Sequence, residues 1–411
     1  MDKLLKFRDF NFKGKTVAVR ADLNLPYDPA EKKLSESPRL KEHIQTIKAL
    51  IGQGAKTVIL AHQGRRGGDD FISLELHLKL LEKRLGQEVK FISQDSGLEP
   101  IAKLKEGEVA LLENVRYYDD ETSQKTPEEH SKSEISKALS PYLDYFILDS
   151  FSVAHRGHAS VVGFSQNVPS VAGPVFLKEY EFLREFLAGI QFSKNDVFIL
   201  GGAKPDEPLG MLKELFKKRV EKILTTGVIS LLFLKAKGYN LGKTENFLKE
   251  KGYLNHMDIV LEFAKEECIL SPLDVAVEKD GKRVEMDIES LPVEEQILDI
   301  GQKTIELYSK AIADANIVCM KGPAGMYEKK GFETGTKKLF EAIARSECIS
   351  LIGGGNSTDA MKKLDIPPEV FTYVSMSGGA FVEFMSGKVL PGIVALEESF
   401  EKFKKPAEEE S

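Results

Sequence analysis

Residues 16–24, TVAVRADLN, decide the fold: an apolar run of the kind buried on both faces of a parallel sheet stops abruptly on charged and amide groups. The same form recurs outward along the chain. Residues 57–65 (TVILAHQGR), 109–116 (VALLENVR) and 145–158 (YFILDSFSVAHRGH) are apolar runs that lead into His62, Arg65, Arg116 and Arg156. Further on, the runs end on glycine: FILGGAK (198–204), ILTTG (223–227), IVCMKGPAG (317–325), ISLIGGGN (349–356) and YVSMSGGA (373–380). Amphipathic segments such as RLKEHIQTIKALIGQG and LELHLKLLEKRLGQ separate the runs. Strand, loop and helix in repetition predict an α/β protein with two doubly wound parallel-sheet, Rossmann-like domains.

Between the two series lies GPVFLKEYEFLREFLAGIQ, with a Gly-Pro start and apolar residues at helical spacing. It reads as a helix joining the domains, or equally as an ordinary packing helix of the second. The expected organisation is a first domain over residues 1–172, a linking helix over 173–190 and a second domain over 191–395, with a cleft between the domains. The tail, 396–411, is expected to dock back on the first domain.

Composition restricts the function. The 411 residues, 42% of them hydrophobic, exceed what one core usually supports. A net charge of −7 argues against a general affinity for nucleic acid or acidic membranes. Cys268, Cys319 and Cys348 are widely spaced and form neither a zinc pattern nor a disulfide framework. No run approaches the roughly 18 uninterrupted apolar residues of a membrane span, and the charged N-terminus lacks a signal-peptide core. A cytoplasmic monomer is expected, with no nucleic-acid or membrane partner.

Ligands of open α/β sheets bind at the carboxyl ends of the strands. Arg39, Arg65, Arg116 and Arg156, with His62, follow or flank separate strands. Guanidiniums gathered at one rim need an anion, and their forks match phosphate and carboxylate. Asp22 and Asn24 suit hydroxyl groups, so a phosphorylated hydroxy acid is the expected ligand. In the second half, glycines after strands let backbone approach a phosphate closely. GGAK sets Lys204 beside Gly201 and Gly202, and GGGNST sets Asn356, Ser357 and Thr358 after Gly353, Gly354 and Gly355. Neither the P-loop signature nor the dinucleotide fingerprint is present.

These segments carry a resemblance. VRADLNLP, AHQGRRGG, LLENVRYY, LDSFSVAHRGHAS, ILGGAKP, LDIGQKTIELYSKAI, MKGPAGMYE, FETGTKKL, LIGGGNSTDAM and SMSGGAFVEFMSGKVLPGI resemble phosphoglycerate kinases, in order and spacing along essentially the full length. The AHQ before GR is closest to the archaeal branch. The resemblance implies a phosphotransferase with a carboxyl acceptor, acting between 1,3-bisphosphoglycerate with ADP and 3-phosphoglycerate with ATP in glycolysis or gluconeogenesis. It implies that Asp22, Asn24, Arg39, His62, Arg65, Arg116 and Arg156 bind 3-phosphoglycerate. Arg39 and Lys204 would act on the transferring phosphoryl group. Gly201, Lys204, Gly227, Lys321, Gly322, Glu328, Gly353, Gly354, Gly355, Asn356 and Ser357 would form the ATP/ADP site. Asn356 would be a weak ligand for Mg2+ held mostly by the nucleotide phosphates.

The departures from the family pattern surround the nucleotide. Pro208 stands where many members have a second lysine, Lys321 where the asparagine of NGP is usual, and Asn356 where an aspartate is usual. A lysine lost at Pro208 and gained at Lys321 would keep the positive charge near the phosphates unchanged if Lys321 points inward. The alternative reading is a non-catalytic or regulatory paralogue that binds 3-phosphoglycerate and has impaired or altered nucleotide binding.

Overall fold

The apolar runs form strands buried over most of their length, on both faces of their sheets, which is why their sequences are continuous rather than alternating. A computed structural model describes every residue except 1, 2, 190–192, 194, 218, 219, 386 and 405–411. The chain divides into two compact units, one formed by Met1–Phe186 with the chain from Val389 onward, the other by Leu187–Lys388.

In the first unit β1 (Thr16–Arg20), β2 (Lys56–Leu60), β3 (Val89–Ile92), β4 (Val109–Leu112), β5 (Tyr145–Leu148) and β6 (Ser170–Ala172) form a six-stranded sheet in the order β3-β4-β2-β1-β5-β6. All its pairings are parallel. Helix α1 (Pro38–Gln53) follows the β1 loop; Ser37 caps it by accepting from Leu40 N at 3.4 Å, and Leu40, His43, Ile44, Ile47 and Leu50 form its buried face. Arg39 therefore stands at the first turn of a helix seated on the core.

Helix α2 (Pro174–Gly189) begins in the first unit and ends in the second. Asp149 Oδ1 accepts from Val175 N at 3.0 Å in its first turn, while Asp149 Oδ2 meets His43 Nδ1 at 2.8 Å in a fully buried pair. One aspartate thus joins α1, the β5 loop and the start of α2. Gly173 is needed at this junction, because a Cβ there would lie 2.3 Å from Asp149 Oδ1.

In the second unit β7 (Val197–Leu200), β8 (Lys222–Thr225) and β9 (Ile269–Leu270) precede an antiparallel sheet of β10 (Asp274–Lys279), β11 (Lys282–Asp287) and β12 (Ile297–Ile300). Strands β13 (Ile317–Lys321), β14 (Ile349–Gly353) and β15 (Tyr373–Ser375) then complete a parallel sheet in the order β9-β8-β7-β13-β14-β15. Residues 268–278, CILSPLDVAVE, hold two elements: only Ile269–Leu270 joins the parallel sheet, and Asp274 onward opens the antiparallel one. Helices α3 (Asp206–Lys217), α4 (Gly227–Ala236) and α5 (Gly355–Lys363) follow β7, β8 and β14.

The last helix, α6 (Pro391–Phe403), packs on the first unit, where Gly392 N donates to Ala154 O at 2.8 Å and Ser399 Oγ accepts from Ser170 N at 2.7 Å. The chain thus returns at Val389, earlier than the residue 396 expected from sequence. Residues 405–411 of the expected tail lie outside the described residues. Among the described residues no helix is long and apolar enough to cross a membrane.

Candidate active site

Arg20, the last residue of β1, is 1% exposed although it is an arginine. Its guanidinium donates to Ser160 Oγ at 3.0 Å, to Ala21 O at 2.6 Å and to His62 Nδ1 at 2.9 Å. A guanidinium can only donate, so Nδ1 of His62 accepts and the ring proton sits on Nε2. Burial, then the charges of Arg20 and Arg116, hold His62 well below its ordinary pKa. His62 is a neutral donor of fixed tautomer.

Asp22 lies two residues on. Its Oδ2 pairs with Arg39 Nη1 at 2.9 Å and accepts from Ser152 Oγ at 2.5 Å, and its Oδ1 accepts from Asn24 N at 3.1 Å. Burial opposes ionisation, but Arg39 and the Ser152 hydroxyl prevail and keep the carboxyl well below the usual carboxylate range. Asn24 is exposed, with Oδ1 accepting from Gly64 N at 3.0 Å. Gln63 is fully buried and pairs both of its amide groups with the backbone of Leu25, so the Gln of AHQ braces this loop.

Arg116 is buried and donates to Gly64 O, and Asn114 fixes its turn by accepting from Arg116 N at 3.2 Å. Burial first, then the charges of Arg156, Arg20 and Arg65, push Arg116 down to about 10. The mutual repulsion shows that these arginines share one locality. Arg156 donates through Nε to His155 Nε2 at 3.2 Å, and Arg65 is exposed. Arg66, beside it, is tied to Arg116 O, Tyr117 O and Asp119.

Sequence reasoning does not find the acid beneath this cluster. Glu121 is 1% exposed, accepts from Ser160 Oγ at 2.7 Å and Ser160 N at 2.8 Å, and is pushed up to about 7 by burial against the pull of Arg20. Ser160 links Arg20 to Glu121. In YYDDET it looks like a surface acid, and no local pattern marks it, because its partner Ser160 lies 39 residues on.

The buried histidines make this unit acid-labile. Burial depresses His77, which contacts Leu23 O at 3.0 Å, to about 4, and His158 to about 3. An unfolded histidine titrates near 6.5, so the unfolded chain binds more protons below that pH. Stability is complete above pH 6.5 and is lost as pH falls toward 4, by roughly 3 kcal/mol for His77. Glu121, with a raised pKa, acts oppositely: its ionisation costs stability as pH rises from about 4.5 through about 7. Urea unfolding of the protein and of His77→Gln at pH 7.5 and 4.5 should show the variant losing less on acidification; equal losses would contradict the assignment.

In the second unit the strand ends enclose a cavity of about 360 Å3. Its walls include Gly202, Gly227, Leu231, Phe247, Val275, Ile297, Leu298 and Met326, with Ser230, Gln296, Asp299, Glu328 and Asn356 as polar groups. An apolar slot with few polar groups, opening beside glycine turns, suits a flat base carried on a phosphate chain. Of the residues expected from sequence, Gly227, Glu328 and Asn356 line it.

The other expected glycines shape the turns. Gly201 N donates to Lys321 O and Gly202 N to Pro323 O, both at 2.8 Å, and a Cβ on Gly322 would lie 2.6 Å from Gly201 O. Gly353 faces the Phe381 ring, where a Cβ would lie 2.5 Å from it. Ser357 is fully buried, donating to Gly353 O at 2.9 Å and accepting from Gly322 N at 3.2 Å, so it stitches β13 to α5. Gly354 and exposed Gly355 begin α5, and exposed Lys204 follows the β7 turn. Pro208 is buried in α3.

Asp299, of LDIG, lines the cavity but is engaged: it accepts from Arg283 Nη1 and Gly335 N at 2.7 Å and from Ile300 N at 2.9 Å, and burial pushes it up to about 6. Among the described residues no group of three or more His, Cys, Asp or Glu could hold a metal ion. The neutral amide of Asn356 and the carboxylate of Glu328 remain, and they do not fit a hard cation held by the protein itself.

The phosphoglycerate kinase family model matches residues 7–388. The phosphoglycerate kinase of Methanothermobacter thermautotrophicus is 38% identical over 398 residues, covering 95% of this chain and 96% of its own. That of Methanococcus maripaludis is 39% identical over 414 residues, covering 97% and 99%. The crystal structure of phosphoglycerate kinase from Pyrococcus horikoshii superposes with a TM-score of 0.87 at 37% identity, covering 97% of this chain and 100% of that one. The Coxiella burnetii phosphoglycerate kinase structure gives 0.72 at 32% identity, covering 96% and 98%. With arginines around a neutral histidine in one unit and a base-sized slot beside glycine turns in the other, the chain belongs to the phosphoglycerate kinase family.

Proposed function

We propose that the protein catalyses reversible phosphoryl transfer between 1,3-bisphosphoglycerate with ADP and 3-phosphoglycerate with ATP. The observation that carries this reading is the arginine cluster of the first unit, whose positive charge suits a ligand with two anionic groups, a carboxylate and a phosphate. Asp22 and Asn24 take the hydroxyl of 3-phosphoglycerate, while His62, Arg65, Arg116 and Arg156 take its charged ends. ATP or ADP occupies the cavity of the second unit, with Glu328 at the ribose and the glycine turns of β7, β13 and β14 at the phosphates.

In the direction of acyl phosphate formation, a carboxylate oxygen of 3-phosphoglycerate bonds to the γ-phosphorus as the bond to the β,γ-bridging oxygen breaks. ADP leaves with that electron pair. No proton transfer is required, so positioning and charge neutralisation carry the rate. Arg39 neutralises the phosphoryl oxygens and Lys204 follows the group between donor and acceptor. Mg2+ would be carried by the nucleotide and would offset part of the phosphate charge there, since the residues lining the cavity do not hold a hard cation by themselves. Small molecules are the partners of a cytoplasmic monomer in this reading.

The test is a coupled assay of the purified protein with 3-phosphoglycerate, ATP and magnesium. Turnover that depends on both substrates is the expected result. Tight 3-phosphoglycerate binding without turnover on any nucleoside triphosphate would overturn it.

A further inference from the structure

We infer that the side-chain amide of Gln296 reads the edge of the nucleobase and so sets which purine the second unit prefers. The inference rests on the nucleotide reading of that unit.

Gln296 lines the cavity and directly precedes β12. Its place on the wall is fixed by its neighbours. Ile297, which is buried, donates its N–H to Thr244 Oγ1 at 2.9 Å and pairs with Val277 of β10. One residue further, Leu298 O accepts from Met326 N at 2.8 Å, which ties the strand to the turn from Pro323 to Glu328. The side chain of Gln296 is half-buried and has no hydrogen bond to any described residue. On a wall that includes Val228, Leu231 and Phe247, its amide offers acceptor and donors with nothing yet to pair them.

The other polar groups of the wall are engaged. The Ser230 hydroxyl donates to Gly227 O at 2.7 Å, and the Tyr327 hydroxyl to Asp359 Oδ2 at 2.8 Å. Gly227 N donates to Ala324 O at 2.9 Å, and Gly202 O accepts from Val228 N at 3.0 Å. Asp299 is held by Arg283 and two backbone N–H groups. Glu328 and Asn356 are exposed; the first meets the ribose in the reading above, and the second lies in the first turn of α5, beside the phosphate turn. Apolar side chains stack on the face of any base and are blind to its edge. The edge is left to Gln296.

The pairing follows from the chemistry of the amide. Toward adenine, Oε1 accepts from the exocyclic N6–H and Nε2 donates to a ring nitrogen, the bidentate match of glutamine with that base. Toward guanine, the same amide turned over donates to O6 and accepts from N1–H, a rotation about a terminal torsion with broad wells. Discrimination between the purines therefore rests on one side chain. A carboxylate in its place can only accept. It would meet the two donors of guanine, N1–H and N2–H, but face the lone pair of adenine N1.

The experiment is calorimetric titration of ADP and of GDP, each with magnesium, into the full-length protein, Gln296→Leu and Gln296→Glu, above neutral pH. Thermal melting confirms that each variant is folded, and either variant alone decides if the other is not. Gln296→Leu should bind ADP about tenfold more weakly, the scale of one lost bidentate contact. Gln296→Glu should raise the ratio of GDP to ADP affinity at least about tenfold over wild type. A Leu variant that binds ADP as wild type does, or a Glu variant whose ratio moves by less than about threefold, would overturn the inference and leave the nucleotide site standing. Absence of binding of both nucleotides to the wild type would overturn the nucleotide reading and the inference with it.

Discussion

Arg39→Ala is expected to lower kcat/KM for 3-phosphoglycerate by about a thousandfold, the scale on which removal of one charge-stabilising donor acts in acyl and phosphoryl transfer. The geometry explains why one side chain has this weight. Arg39 lies in the first turn of α1, whose start is capped by Ser37 and whose next turn is fixed by the buried His43 and Asp149 pair. Its Nη1 is held at 2.9 Å by Asp22, itself fixed by Ser152, yet 26% of the side chain is solvent-exposed. The guanidinium is oriented before substrate arrives, so little reorganisation accompanies the reaction. Arg39→Lys keeps the charge beside Asp22 and loses the fork; it should recover only a minor part of the activity. Steady-state kinetics decides the matter, and a loss below tenfold for Arg39→Ala would remove Arg39 from the reacting group.

The second large effect concerns stability. Arg20→Met should destabilise the first unit by about 3–5 kcal/mol, because it leaves Glu121 buried without its positive neighbour and deprives His62 Nδ1 and Ser160 of their donor. For a unit of this size, that is a fall in melting temperature on the order of 10 °C. Adding Glu121→Gln, which cannot ionise, should restore at least about half of the loss at alkaline pH, where Glu121 would otherwise have to ionise without its positive neighbour. The single variant should also weaken 3-phosphoglycerate binding, since loss of the nearby charge raises the His62 pKa and frees its tautomer. Calorimetric melting of the two variants beside wild type is the measurement. A cost under about 1 kcal/mol for Arg20→Met would show that Arg20 is not the support of the cluster.

Much of this was legible in the sequence because parallel strands buried on both faces write themselves as unbroken apolar runs. TVAVR, VALLEN and YFILDS begin β1, β4 and β5 at the expected residues. Other elements do not write themselves this way. Val89–Ile92 is a four-residue edge strand with two half-buried positions, and Lys282–Asp287 is an antiparallel strand without a buried residue, so KRVEMD reads as loop. That antiparallel sheet carries part of the cavity wall, through Val275 and Ile297, which is why the cavity could not be drawn from the glycine turns alone.

The candidate site divides in the same manner. The groups proposed to meet a ligand directly, such as Arg39, His62 and Arg116, stand at strand ends or helix starts and are recognisable by position. Groups that support them are not. Arg20 closes an apolar run and would be placed on the rim, yet it turns inward to Ser160 and His62. Ser357 follows the glycine turn like a phosphate ligand, yet its hydroxyl bonds to Gly322 and Gly353. The direction of Lys321 depends on strand register, which no local pattern encodes.

The most direct test of the proposed division of substrates between the units is hydrogen exchange of the backbone amides, read by mass spectrometry with each ligand alone. With 3-phosphoglycerate, the account predicts that the largest slowing falls on the loops around Asp22 to Leu25, His62 to Gly64 and Val115 to Tyr117. With ADP it should fall on Gly202, the start of α4, the turn from Pro323 to Glu328 and the start of α5. Principal slowing by ADP in the first unit, or by 3-phosphoglycerate in the second, would contradict the account.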